Sequence, residues 1–109
     1  MTGEQMSIFD FIQEPEENLE EMDEEEIIRK IEEGTGLRFR LNPRFGNYYE
    51  YKINKTLFYI HISRYEMEDN QNRFIGVGWE KGSSGGSAPR DSVKEAVSWI
   101  KKKIATLDF

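Results

Sequence analysis

The sequence predicts an α+β protein: a two-layer domain in the order helix, four-stranded antiparallel sheet, helix, behind a disordered acidic N-terminal tail. Three observations predict it. The apolar period switches from helical to alternating after Gly34 and back to helical after Ser92. Each helical stretch opens on a capping box, Asp23 with Glu26 and Ser92 with Glu95. Charge is also segregated. Residues 1–33 hold 13 acids and 2 bases, while residues 34–109 hold 8 acids and 13 bases, within a net charge of −6. A chain of 109 residues has room for one modest core, so the domain is assigned to residues 23–109 and the tail to residues 1–22.

Residues 13–22 read Gln-Glu-Pro-Glu-Glu-Asn-Leu-Glu-Glu-Met. High negative charge, a proline and two apolar residues describe a self-repelling spacer. The first helix begins after Asp23, with acids in its first turn to suit the dipole. Its apolar stripe is Ile27, Ile28 and Ile31, and Gly34 is a natural stop. Leu37, Phe39 and Leu41 then alternate with Arg38 and Arg40 as a half-buried strand.

Residues 42–47 are a turn cluster. Tyr49, Tyr51 and Ile53 share one face of the next strand, opposite Tyr48, Glu50 and Lys52. Asn54-Lys55 is a hairpin turn, because Asn tolerates positive φ. The returning strand sets Phe58, Ile60 and Ile62 against Leu57, Tyr59 and His61. After a polar loop over residues 66–72, residues 73–80 form the fourth strand. Ile75, Val77 and Trp79 lie on one side, and Phe74, Gly76 and Gly78 on the other. Two glycines on one face leave that side low, open to close approach. The segment Gly82-Ser83-Ser84-Gly85-Gly86-Ser87 reads as a flexible loop. The last helix carries Val93, Ala96, Val97, Ile100 and Ile104 at helical spacing.

The composition restricts function. Without cysteine there is no disulfide framework, thiolate metal site or cysteine nucleophile. The single histidine, His61, sits mid-strand with no nucleophile or metal-ligand pattern around it, so it reads as structural. The Gly/Ser segment lacks the Gly-Lys-Ser/Thr ending of a phosphate-binding loop. No enzyme activity and no cofactor is expected. The acidic start does not resemble a secretory signal, and no apolar run approaches the ~20 residues of a membrane span. A cytoplasmic protein with no membrane contact is the expectation.

The stretch Gln5-Met6-Ser7-Ile8-Phe9, followed by Asp10-Phe11-Ile12, is strongly apolar ahead of a highly charged tract. A few large side chains on a charged tether suit docking into another protein's pocket. It resembles the peptide with which bacterial polymerases and repair proteins bind the DNA sliding clamp, usually written Gln-Leu-Ser/Asp-Leu-Phe. Gln5, Ser7 and Phe9 match, and Met6 and Ile8 are conservative departures. The resemblance implies that Gln5 hydrogen-bonds at the rim of the clamp's groove, with Ile8 and Phe9 filling its subsites. In a longer frame, Gln5, Ile8 and Phe11 look like the clamp box of archaea and eukaryotes, with Ile12 where a second aromatic stands. The docking peptide is therefore placed within residues 5–12, and the DNA polymerase sliding clamp (beta clamp) is the expected partner.

The folded domain offers a second set of candidates. Arg38, Arg40, Lys52 and the run Lys101, Lys102, Lys103 supply cations, and Tyr48 and Tyr59 supply aromatics for nucleic-acid contact. The order of elements is distantly similar to the double-stranded-RNA-binding domain. That family has three strands, and its lysines open the last helix rather than close it. The expectation is a non-enzymatic adaptor of a phage or mobile-element replication or repair system. Two other readings stand beside it: an anti-defence inhibitor whose acidic run mimics nucleic acid, and a nucleic-acid-binding module.

Overall fold

In the computed structural model, which describes residues 18–43 and 46–107, both capping motifs start helices. Asp23 accepts a hydrogen bond from the Glu26 N–H at 2.8 Å, and helix α1 runs over Glu24–Thr35. Ser92 accepts from the Glu95 N–H at 3.1 Å and opens α2, Val93–Thr106. The stop of α1 differs from expectation. Gly36 closes the helix with φ 78°, donating to the Glu32 carbonyl at 2.8 Å. Gly34 has a different task, because a Cβ there would lie 2.8 Å from Val97 Cγ2 of α2. Its missing side chain lets the two helices approach.

Between the helices lie β1 (Arg40–Asn42), β2 (Tyr48–Ile53), β3 (Thr56–Arg64), β4 (Arg73–Lys81) and β5 (Ser84–Arg90). All pair antiparallel in the simple order β1-β2-β3-β4-β5. Asn54, at φ 54°, turns the chain between β2 and β3 as its residue type predicts.

The sheet has five strands, not four. The segment expected to be a flexible loop is the β4–β5 hairpin: Lys81 pairs with Ser84, and Gly82-Ser83 make the turn with Gly82 at φ 62°. Small residues suit β5 because it lies tight against β4. A Cβ on Gly85 would meet the Trp79 carbonyl at 2.9 Å, and one on Gly86 the Trp79 ring nitrogen at 3.1 Å. Pro89 is tolerated because β5 is an edge strand.

The first strand is shorter than expected. Leu37 and Phe39 do not join a ladder, since their N–H groups donate to Thr35 Oγ1 at 3.2 Å and Glu32 Oε2 at 2.8 Å. Side chains of α1 thus take the donors that a strand would have used. Leu37 and Phe39 still pack on the core, while Leu41 is 50% exposed.

The inner sheet face supplies Ile60, Ile75 and Val77, which meet Ile27 and Ile31 of α1 and Val93, Ala96 and Ile100 of α2. Each of the isoleucine and valine side chains contributes about 1.5–3 kcal/mol on burial. Leu19 and Met22 join this core, so the expected spacer overlaps the fold at its end. Residues Leu19–Glu21 form a 3-10 turn capped by Asn18. Arg73 Nη1 donates to the Leu19 and Met22 carbonyls at 2.7 Å each, and the Arg73 N–H donates to Glu20 Oε2 at 2.8 Å. Arg64 pairs with Glu20 at 3.0 Å. The Arg73 N–H, then Arg64, hold the Glu20 carboxyl below its usual value.

Candidate functional site: the open face of the sheet

Alternation sends half of the strand residues to the side away from both helices, and among the described residues no element covers that side. The cross-strand register assembles it in rows. Arg40, Glu50, Tyr59, Gly78 and Ser87 make one row, and Asn42, Tyr48, His61, Gly76 and Pro89 the next. Phe74 lies beyond them, opposite Ser63.

The aromatic members touch in a chain. Tyr48 and Tyr59 have ring centroids 5.9 Å apart, Tyr48 and His61 4.9 Å, His61 and Phe74 6.2 Å, and Phe74 and Tyr65 4.6 Å. All five are half-buried. Such rings normally stand up from a sheet, but two of these lie over β4. A Cβ on Gly78 would fall 2.2 Å from Tyr59 Cζ, and one on Gly76 would fall 2.2 Å from His61 Nε2. The two glycines are the floor on which the rings rest, so the low side seen in the sequence is filled by the sheet's own cross-strand neighbours. Sequence reasoning set His61 aside and omitted Phe74 and Tyr65. The available signal was the pairing of two glycines with two rings across one register.

Desolvation pushes the His61 pKa below 6.5, leaving a neutral ring at pH 7. Burial, then Glu80, raises the Tyr59 hydroxyl above its usual value, so it remains protonated. Tyr65 donates from its hydroxyl to Asp91 Oδ1 at 3.0 Å.

A groove of about 420 Å³ borders this face, lined by Arg38, Arg40, Glu50, Lys52 and Leu57 together with Tyr51. Arg38, Arg40 and Lys52 are exposed there. Glu50 accepts from Asn42 Nδ2 at 3.2 Å in the same region. Five of the candidate nucleic-acid residues, Arg38, Arg40, Tyr48, Lys52 and Tyr59, are thus gathered on one side or edge of the sheet.

Lys101, Lys102 and Lys103 are not brought to them. They lie on α2, in the helical layer on the other side, where Lys103 Nζ sits 5.6 Å from the Trp99 ring centre. The cations form two patches, not one. Gln5, Met6, Ser7, Ile8, Phe9 and Phe11 lie outside the described residues.

The acidic run is partly committed to the fold. Asp23 caps α1, Glu32 accepts from Phe39, Glu20 holds Arg64 and Arg73, and Glu33 pairs with Arg29 at 3.3 Å. Carboxylates held this way are less available to imitate a phosphate chain. Among the described residues there is no cluster of three or more His, Cys, Asp or Glu able to hold a metal ion. Nor is any helix there long and apolar enough to cross a membrane. No protein-family model, curated protein or solved structure matches the chain.

Proposed function

We propose that the protein is a non-enzymatic adaptor that docks on the DNA sliding clamp through Gln5-Met6-Ser7-Ile8-Phe9 and presents its folded module to a second target. The observation that carries this reading is the peptide itself: a glutamine and an aliphatic–aromatic pair at the clamp-binding spacing, ahead of an acidic tract in the sequence. The described core takes Leu19 and Met22 as its most N-terminal members. Gln5 supplies hydrogen bonds at the groove's edge, Ile8 and Phe9 fill its apolar subsites, and Phe11 extends the contact. Confinement on the clamp raises the module's effective concentration near DNA, so its second contact functions even when weak. The setting proposed is replication or repair in a phage or mobile element.

The test is titration of purified bacterial sliding clamp with the full chain and with a Gln5→Ala/Phe9→Ala variant. Micromolar binding by the parent, reduced at least tenfold in the variant, supports the adaptor. Binding that ignores the two substitutions, or none at high micromolar clamp, removes it.

A further inference from the structure

We infer that the open face of the sheet is a platform for single-stranded nucleic acid, with bases stacking on Tyr59 and Tyr48 and the phosphate chain running along Arg38, Arg40 and Lys52. The inference rests on the adaptor reading only in naming the module's second target, and its geometry stands apart from residues 5–9.

The first support is the lay of the rings. Gly76 and Gly78 remove the side chains that would hold His61 and Tyr59 away from β4. A ring resting on bare backbone lies low on the sheet instead of standing up from it. Bases stack on such a surface whatever their identity, each at a cost of about 1–3 kcal/mol if the ring is removed. Tyr48, 5.9 Å from Tyr59 and 4.9 Å from His61, extends the platform toward β1.

Charge supplies the second support. The groove beside Tyr59 presents Arg38, Arg40 and Lys52 to solvent, with Glu50 as the acid in its lining. Glu80 stands at the far side of Tyr59, where its charge contributes to raising that hydroxyl. The positive side is therefore the β1–β2 edge, and the strand's backbone belongs there. Duplex fits less well. A half-buried aromatic layer has no unstacked bases to meet on a duplex.

The test is fluorescence anisotropy of a labelled oligothymidylate of about 12 nucleotides with the full chain at low salt. Micromolar binding is expected, stronger than to a duplex of the same length. Tyr59→Ser should weaken it about tenfold, the loss of one stacked base. Arg40→Ala/Lys52→Ala should weaken it and flatten the salt slope by about 0.7 for each phosphate no longer neutralised. Lys101→Ala/Lys102→Ala, on the opposite layer, should leave it unchanged. Thermal unfolding checks each variant, and ring-proton shifts of Tyr59 and His61 on titrating the parent protein give a reading that needs no variant.

Any of the following overturns the platform: no oligonucleotide binding, preference for duplex, dependence on the α2 lysines instead, or self-association through this face seen by sedimentation. Movement of the His61 and Tyr59 signals in Gln5→Ala/Phe9→Ala would also overturn it, by showing that the chain's own peptide occupies the face. The two readings fail separately. That double variant should lose the clamp and keep the oligonucleotide, while Tyr59→Ser should do the reverse.

Discussion

The two faces of one sheet carry opposite chemistry on alternate residues of the same strands. On β3 and β4 the inner face offers Ile60, Ile75 and Val77, each fully buried beneath the helices. One residue along, the outer face offers Tyr59, His61, Gly76 and Gly78, where the rings occupy the space that side chains on β4 would have filled. The inner face gains stability from volume, so its residues are branched aliphatics that fill a closed layer. The outer face gains flatness, which does little for stability and makes sense as a surface for contact. A slip of one residue in register would exchange these roles completely.

Substitutions on the two faces should therefore fail in different ways. The largest loss is expected inside: Ile60→Ala leaves a cavity under both helices and should cost about 2–5 kcal/mol in chemical denaturation. Next comes the N-terminal turn. Arg73→Ala removes the charged donor shared by the Leu19 and Met22 carbonyls, leaving Leu19, among the described residues, only its 3.4 Å bond from the Met22 N–H. It should cost about 1.5–3 kcal/mol, with faster amide exchange over residues 19–22. Gly78→Ala on the outer face should cost only about 1 kcal/mol, because the ring can swing outward, yet it should visibly shift the Tyr59 ring resonances. A cost for Gly78→Ala as large as that for Ile60→Ala would erase the distinction between the faces.

The smallest effect is a pH dependence. His61 has a folded pKa below 6.5, so the unfolded chain binds its proton first as pH falls. Stability from this group is present above 6.5 and is lost as pH drops from there through the folded value. The rings around His61 belong to Tyr48 and Phe74, and among the described residues desolvation alone sets the sign. Denaturation midpoints at about pH 7.5 and 5.5 should differ less in His61→Gln than in the parent. Glu20 works in the other direction of charge and at lower pH. Its lowered carboxyl stabilises above 4.5, and that contribution disappears as pH falls through its folded pKa.

The helices were readable because their signals are local: a cap and the N–H that donates to it lie three residues apart, whatever the rest of the chain does. The alternation of β2, β3 and β4 was equally plain. What escaped the sequence depended on partners distant along the chain. Strand β5 is written in residues that disfavour strands, chosen to fit against Trp79, and only the Gly82-Ser83 turn marked it. Leu37 and Phe39 alternate like a strand, but Glu32 and Thr35 take their donors. Leu19 and Met22 sit in an acidic run that reads as spacer, and the arginine that pins them is more than 50 positions away. For the candidate face, tyrosines and cations were visible singly. Their gathering on one side, and the separation of the α2 lysines from them, needed the register.

The most direct measurement is a titration of the bacterial sliding clamp by the full chain, run in parallel on Gln5→Ala/Phe9→Ala and Tyr59→Ser. The account predicts micromolar binding that is lost in the first variant and unchanged in the second, placing clamp contact in the peptide and leaving the sheet free. Binding that survives loss of Gln5 and Phe9, or that is absent from the parent protein, would contradict it.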